Sequence, residues 1–281
     1  MQMLINGLAQ GAIIAIAAMG VTLIFRISHF ANAAFGDLMT VGAYVTLGFG
    51  AWLPLYASAV FGVIATGLIG LLSYLVVFRA FEGNTISSFA ASIGLALALR
   101  AVVQYIAGSQ VQVYGSASGD AFTLLGARIS SAVVVVLVTC VVVGMGFFAL
   151  LRWTTIGKRV RATADSEELA RVTGISVRSV TILVWAAASA LAGVAGVLLG
   201  ISSALSPEMG WNFLLSAFAA AILGGLGSTT AAVAGGLLIG LAEQYSVLIV
   251  PVGYKPAIAF LLMVLVLLIR PTGLLAAKAR A

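Results

Sequence analysis

Charge is what this sequence has least of: 14 Lys+Arg and 8 Asp+Glu among 281 residues, 8% in all. A soluble domain carries roughly 25% charged residues because its exterior must be hydrated, so a water-exposed globule of this size, and with it a soluble enzyme, is excluded. Cysteine occurs once, as Cys140 inside Val-Leu-Val-Thr-Cys-Val-Val, which rules out an intramolecular disulfide and leaves the thiol to pack as a small hydrophobe. Histidine also occurs once, as His29, with no second His, Cys or acidic pair at ligand spacing, so no metal site is expected. A phosphate-cradling Gly-x-x-x-x-Gly-Lys-Ser/Thr is missing as well. Gly157-Lys158 has Arg152 where the first Gly belongs, so any nucleotide has to be bound by another chain. Five prolines argue against disorder. The formal net charge of +6 raises the question of nucleic acid, but the basic residues are dispersed at the ends of apolar segments and form no contiguous footprint. No nucleic-acid partner is expected.

What is there is apolar: 62% of residues, in long unbroken runs. Hydrocarbon offers backbone N–H and C=O groups no water, so they must pair within a helix or a closed barrel, and runs without alternation select helices. The fold class read from this is all-α, a polytopic integral membrane helical bundle of about 8–9 segments at ~20 residues per span, with room for broken or re-entrant helices. The runs are Leu4 to Phe25, Leu38 to Tyr56, Val60 to Phe78, Ile86 to Ala107, Ser130 to Leu151 and Val180 to Ile201. Then come Phe213 to Val250, long enough for two passes broken near Gly224-Gly225-Leu226-Gly227-Ser228, and a short one from Ala257 to Ile269. The first run has no basic residue before it, so it reads as a retained span and not as a cleavable signal. A single transmembrane domain covers 1–281, with no short-period repeat and no soluble domain. Gly is abundant at 32 residues, and the pairs Gly196/Gly200 and Gly236/Gly240 have the small-xxx-small spacing that lets helix backbones touch.

Charge placement orients the bundle. Six of the 14 basic residues, Arg152, Lys158, Arg159, Arg161, Arg171 and Arg178, fall in 152–178 and outnumber Asp165, Glu167 and Glu168. Cytoplasmic loops hold excess Lys and Arg, so this loop is expected inside. Counting spans outward puts Arg26, Arg79, Glu82, Lys278 and Arg280 inside too, and the N-terminus and the connection of about 108–129 outside. Within the loop, acids come first, then Arg171 and Gly174. That order suits a short helix starting at Asp165, about 12 Å long, with Asp165 and Glu168 as a capping box and Gly174 at C′. An ordinary positive-inside loop is the other reading.

Four stretches carry a resemblance. Thr155-Ile156-Gly157-Lys158-Arg159-Val160-Arg161-Ala162-Thr163-Ala164-Asp165, followed by Ala170, Gly174-Ile175 and Val177, resembles the cytoplasmic motif of permease subunits of ABC importers in the branched-chain amino-acid family. Ile222-Leu223-Gly224-Gly225-Leu226-Gly227-Ser228 with Gly235-Gly236 and Gly240-Leu241-Ala242-Glu243 agrees, as does the tail Arg270-Pro271-Thr272-Gly273-Leu274. Asn32-Ala33-Ala34-Phe35-Gly36-Asp37 through Gly42-Ala43-Tyr44 is similar to the family's Asn-Phe-Ala-His-Gly-Glu segment, with Ala33 and Phe35 in place of its Phe and His. The resemblance implies a second permease subunit in a homodimer or heterodimer and two ABC ATPase subunits that bind the ATP and Mg, this chain holding no cofactor. It also implies an extracytoplasmic solute-binding protein and a place in the bacterial inner membrane. The 157–174 stretch is then the coupling helix, with Gly157, Arg161, Ala162, Asp165, Ala170 and Gly174 facing the ATPase.

Inside the spans, Arg100 sits near the middle of its run, where a charge costs at least ~2.5 kcal/mol, so it must face protein or water or snorkel. Glu243 is the opposite charge in a late span, and Asp37 lies near the inner end of another. Either Arg100 pairs with Glu243 to lock helices, or it lines or gates a path. The Asn32 to Gly36 and Gly224 to Ser228 clusters read equally as broken helices offering backbone groups to a polar solute or as simple turns. The candidate path residues are thus Asn32, Gly36, Asp37, Arg100, Gly224, Gly225, Gly227, Ser228 and Glu243. Two function classes follow: the permease of an ATP-driven importer for a small amino-acid-like solute, branched-chain amino acids by family default, or a self-sufficient channel or ion-coupled carrier. The second needs several acidic or His groups in its spans, and the sequence offers Glu243 and marginally Asp37. A purely structural scaffold needs neither Arg100 nor the patterned loop.

Overall fold

The computed structural model describes residues 1–115, 121–124, 127–270 and 273. Among them are eleven α-helices: α1 Gln2–Ser28, α2 Ala34–Phe49, α3 Leu55–Val76, α4 Thr85–Ala107, α5 Ser131–Trp153, α6 Thr155–Asp165, α7 Glu167–Val172, α8 Val177–Ser202, α9 Met209–Gly224, α10 Thr229–Ser246 and α11 Lys255–Ile269. The four prolines in described positions all punctuate this order. Pro54 is the N-cap of α3, Pro207 and Pro251 lie in connections, and Pro256 is in the first turn of α11, where its missing N–H costs nothing.

Among the described residues five helical stretches are long and apolar enough to cross a membrane: Gln2–Ser28, Leu55–Phe81, Thr85–Ala107, Ser131–Trp153 and Val177–Ser202. At 1.5 Å per residue α1 is about 40 Å long, whereas α2, α9 and α11 reach only about 22–24 Å and fall short of a ~30 Å core. The apolar helices α1 to α5 and α8 to α11 give the polytopic bundle that composition predicts. One departure lies between α4 and α5, where an all-α reading expects an irregular polar loop. Strands β1 Ala121–Leu124 and β2 Ala127–Ser130 pair there in antiparallel register, Ala121 opposite Ser130 and Leu124 opposite Ala127. Outside hydrocarbon, water can serve the free edges of so short a ribbon, and four-residue strands are below the length at which periodicity shows. Residues 116–120 and 125–126 of that connection, and Pro271, Thr272, Leu274, Lys278 and Arg280 of the tail, lie outside the described residues.

Helices α1, α2, α8, α9 and α10 hold the core. Small residues set their spacing, because lipid tails are as apolar as the helices and packing must come from close backbone approach. A Cβ on Gly240 would fall 2.1 Å from Gly11 Cα, and one on Gly236 2.5 Å from Ala15, so α1 and α10 are in backbone contact. Gly196 meets Met39 of α2 in the same way, whereas Gly200 packs on the Tyr114 ring. Cys140 is buried and free. By contrast α5 buries little of its surface, and Val138, Val141, Val142 and Met145 stay exposed, as suits lipid or another membrane subunit.

Candidate translocation and coupling site

The first break in the helical ladder falls at 29–33. Helix α1 ends with His29 in the left-handed region (φ 56°), its N–H donating to Phe25 O, and the chain re-enters as buried Phe30 and Asn32. An α-helix N-terminus inside the bundle leaves N–H groups that need partners. The Asn32 Oδ1 accepts from Ala34 N–H (3.0 Å) and Ser92 Oγ, two turns into α4, accepts from Ala33 N–H (3.1 Å). A broken helix with a buried start is therefore what Asn32 to Gly36 form. Gly36 lets α9 approach: a Cβ there would sit 2.5 Å from Gly210 O, and Gly210 N–H donates to Thr40 Oγ1 at 3.1 Å. Phe35 is fully buried with its ring against Gly20. The substitution of Phe for the family's His thus falls on the core side of α2.

One turn further, Asp37 accepts two bonds from Arg100, Nε to Oδ1 at 3.0 Å and Nη2 to Oδ2 at 3.1 Å. The Asp37 side chain is 0% exposed and that of Arg100 16%. The guanidinium also lies 5.1 Å from the Trp211 ring centre, a cation–π contact that ties α9 to the same point. The pairing of Arg100 with Glu243 is thereby corrected. Asp37 is not marginal to its span but next to the buried start of α2, where Arg100 of α4 reaches it. Glu243 lies instead between α1 and α9, accepting from Gln10 Nε2 (2.7 Å) and from Ser216 Oγ. Because a Gln oxygen can still accept from Gln10 and the Ser216 hydroxyl can turn to accept from the Gln NH2, Glu243→Gln is expected to change stability by no more than about 1 kcal/mol. Glu243→Leu orphans both partners at about 1–3 kcal/mol each. Denaturant unfolding of the two variants in micelles checks the order.

Gly224, Gly225, Gly227 and Ser228 do not join this group. They form the α9–α10 turn, with Gly225 and Gly227 at φ 114° and 107° and Ser228 Oγ capping α10 through Ala231 N–H. Of the two readings, the structure takes the turn. The residues sequence reasoning missed are all uncharged: Gln10, Ser92, Trp211 and Ser216 lie in other helices, so no linear spacing links them to Asp37 or Glu243, and Thr40, one turn after Asp37 in α2, carries no charge to mark it.

The end of the bundle that carries α6 and α7 has a different character. Thr154 caps α6, its Oγ1 accepting from Gly157 N–H (3.2 Å), and Gly157 presses on Leu151 O, where a Cβ would lie 2.0 Å away. Arg161 donates to the same carbonyl, and Ala162 is half-buried. The short helix expected to start at Asp165 starts at Glu167 as α7, and a further helix, α6, precedes it: Asp165 ends α6, and Ser166, not Asp165, caps α7 by accepting from Leu169 N–H. A serine oxygen one residue later serves the cap, which frees Asp165 to bond Arg26 of α1 at 3.0 Å. Ala170 is buried, and Gly174 (φ 81°) ends α7 with Ile175 N–H reaching back to Ala170 O, a Schellman closure.

A cavity of about 1090 Å³ opens beside these helices, lined by 163–167 and 174–178 as well as His29, Arg79 and Thr85. An aromatic layer floors it. Trp185 stacks on Phe78 (4.7 Å) and Tyr74 (5.5 Å), with Phe30 at 6.2 Å, and its Nε1–H donates to Ser28 Oγ. At the opposite end, Gln112 and Leu205 pair through their backbones, and the Tyr114 hydroxyl donates to Ala43 O. Burial pushes the Tyr114 phenol up from its ordinary value, so it stays a donor. Among the described residues no three His, Cys, Asp or Glu side chains gather as a metal site.

This geometry can be set beside known proteins. The high-affinity branched-chain amino acid transport system permease protein BraD of Pseudomonas aeruginosa is 30% identical over 98% of this chain and 95% of its own length. LivH of Escherichia coli K12, with the same description, is 28% identical over 98% and 95%. The ribose import permease protein RbsC of Escherichia coli K12 is 26% identical over 79% of this chain and 68% of its own. Among solved structures, PsaBC from Streptococcus pneumoniae in complex with Fab shares the fold, with a TM-score of 0.57 and 16% identity over 97% of this chain and 93% of that one. The profile described as "Branched-chain amino acid transport system / permease component" matches residues 3–267, and on that span the chain belongs to this permease family, as a multi-pass membrane transport subunit.

Proposed function

We propose that the chain is the integral permease subunit of an ATP-driven importer that carries branched-chain amino acids across the bacterial inner membrane by alternating access. The observation that carries this is the shared wall: 163–167 and 174–178, the ends and joints of α6 and α7, themselves line the large cavity. A force on α6 and α7 therefore changes the cavity directly. The basic end faces the cytoplasm and the N-terminus the exterior, so the cavity is an inward vestibule and the Trp185 layer its outer stop. Two ATPase subunits, which hold ATP and Mg, supply the bias, and the permease supplies the two-state element. A second permease subunit completes the core, and a solute-binding protein delivers to the far side. A floor of Phe30, Tyr74, Phe78 and Trp185 suits an apolar side chain. Ion coupling has little to work with: Asp37 is engaged by Arg100, and Glu243 is the one carboxylate within a span, among the described residues, that lacks an ion-pair partner.

The test is the ATPase activity of the complex reconstituted with leucine and its binding protein. Proline cannot adopt the positive φ of Gly174, and Arg161→Glu breaks the tie of α6 to α5. Arg161→Glu with Gly174→Pro is expected to leave assembly intact and to reduce leucine-stimulated hydrolysis by about tenfold or more, as loss of a coupling of ~1.4 kcal/mol or more requires. Unchanged stimulation overturns the coupling assignment, and uptake of ribose in preference to leucine overturns the solute.

A further inference from the structure

A second, smaller cleft of about 370 Å³ lies at the basic end, between α1, α5, α6 and the start of α10. Its volume falls in the roughly 300–1,000 Å³ range of small-molecule sites. Three of its lining residues are arginines, Arg26, Arg152 and Arg161, each from a different helix, and among the described residues no carboxylate lines it. The Thr229 hydroxyl adds a polar group, and Leu23 and Phe148 make an apolar wall. The arginines are held in place by their surroundings. Arg26 is tied to Asp165, Arg161 to Leu151 O, and Arg152 lies 5.7 Å over the Phe148 ring. Among the described residues one of the three charges is met by an acid, and that acid stands outside the cleft.

What enters the cleft is indicated by what leads to it. Exposed Val134, Val138, Val141, Met145 and Phe148 recur along α5 at helical spacing and form an apolar stripe that runs down to Arg152. Trp153, beside Arg152, is 76% exposed at the last residue of α5, the position of an interfacial anchor. A ligand with a phosphate at the arginines and hydrocarbon along α5 satisfies both halves. A free phosphate leaves the stripe unused, and a neutral lipid leaves the arginines unmet. Guanidinium forks bind phosphate oxygens in paired hydrogen bonds, and basic pockets between membrane helices take anionic headgroups for this reason.

We propose that the Arg26, Arg152 and Arg161 cleft binds the phosphate headgroup of an anionic phospholipid, whose acyl chain lies along α5. The headgroup bridges α1, α5 and α6, so it clasps α6 to the bundle at the joint next to Asp165. The site requires only that this end of the bundle lies at a membrane surface, and it holds whichever solute is carried.

The experiment uses the permease purified in its assembled complex, stripped of lipid and examined by native mass spectrometry. Phosphatidylglycerol, phosphatidylcholine and inorganic phosphate are titrated separately. Phosphatidylglycerol is expected to be retained at lower concentration than phosphatidylcholine, and Arg152→Gln to weaken its retention about fivefold. Lys255→Gln, which removes one charge at the far end of the bundle, is expected to leave retention unchanged. Equal retention of the two lipids, or no effect of Arg152→Gln, overturns the proposal. Displacement of phosphatidylglycerol by millimolar inorganic phosphate assigns the cleft to a free anion and overturns it as well. An Arg152→Cys variant that cross-links to an ATPase or second permease subunit means that protein covers the cleft, and has the same consequence. Leucine-stimulated hydrolysis in the same preparations reports on the transport reading separately.

Discussion

Asp37→Ala is expected to destabilise the protein by about 3–5 kcal/mol, the cost of leaving a buried charge without its partner. Arg100 cannot discharge by losing a proton, so without Asp37 a guanidinium stands in an apolar bundle against the Trp211 face. Arg100→Met is expected to cost less, because the stranded carboxyl can take up a proton and become neutral. Asp37→Ala with Arg100→Met removes both charges and recovers most of the loss, leaving about 1–2 kcal/mol for the altered packing. Unfolding of the four proteins in mixed micelles measures the cycle. A double variant as unstable as the two single losses added together shows that the pair does not act as a unit.

Gly240→Val is expected to be as damaging for a different reason. Its Cβ would fall 2.1 Å from Gly11 Cα and 2.2 Å from Gly11 N, backbone atoms that no rotamer change can move. Overpacking of this kind costs about 3 kcal/mol or more at its upper end, and it also separates Glu243 from Gln10. The same change at Gly94 of α4, where a Cβ meets nothing within 4 Å, is expected to be silent. The fraction of extracted protein that elutes as a single species on size exclusion distinguishes the two. A Gly240→Val protein that behaves like Gly94→Val removes the backbone contact as the basis of the α1–α10 interface.

The helices were legible from the sequence because hydrocarbon leaves the backbone no other choice, and runs such as Ser130 to Leu151 have no competing pattern. The α9–α10 break showed for the same kind of reason, since Gly225 and Gly227 take positive φ values that few other residues hold. The ribbon of 121–130 and the cap at Ser166 were not legible. Each rests on a stretch of about four residues, where one hydrogen bond decides between alternatives. The buried cluster was read in part. That Arg100 needs a partner follows from charge alone, but the choice of Asp37 over Glu243 depends on which helix α4 lies against, and that is a property of the bundle. Gln10 and Ser216, neutral and isolated in sequence, gave no sign that they hold Glu243.

The contact of α1 with α10 also bears on how the chain is made. Gly11 emerges from the ribosome roughly 230 residues before Gly240, which at about 5–20 residues per second is a wait on the order of ten to fifty seconds. During that interval the groove of Gly7, Gln10 and Gly11 has no mate and faces lipid or an insertion factor. Synthesis halted before α10 leaves a nascent product with its first helix unclasped, a form that membrane proteases can recognise and remove.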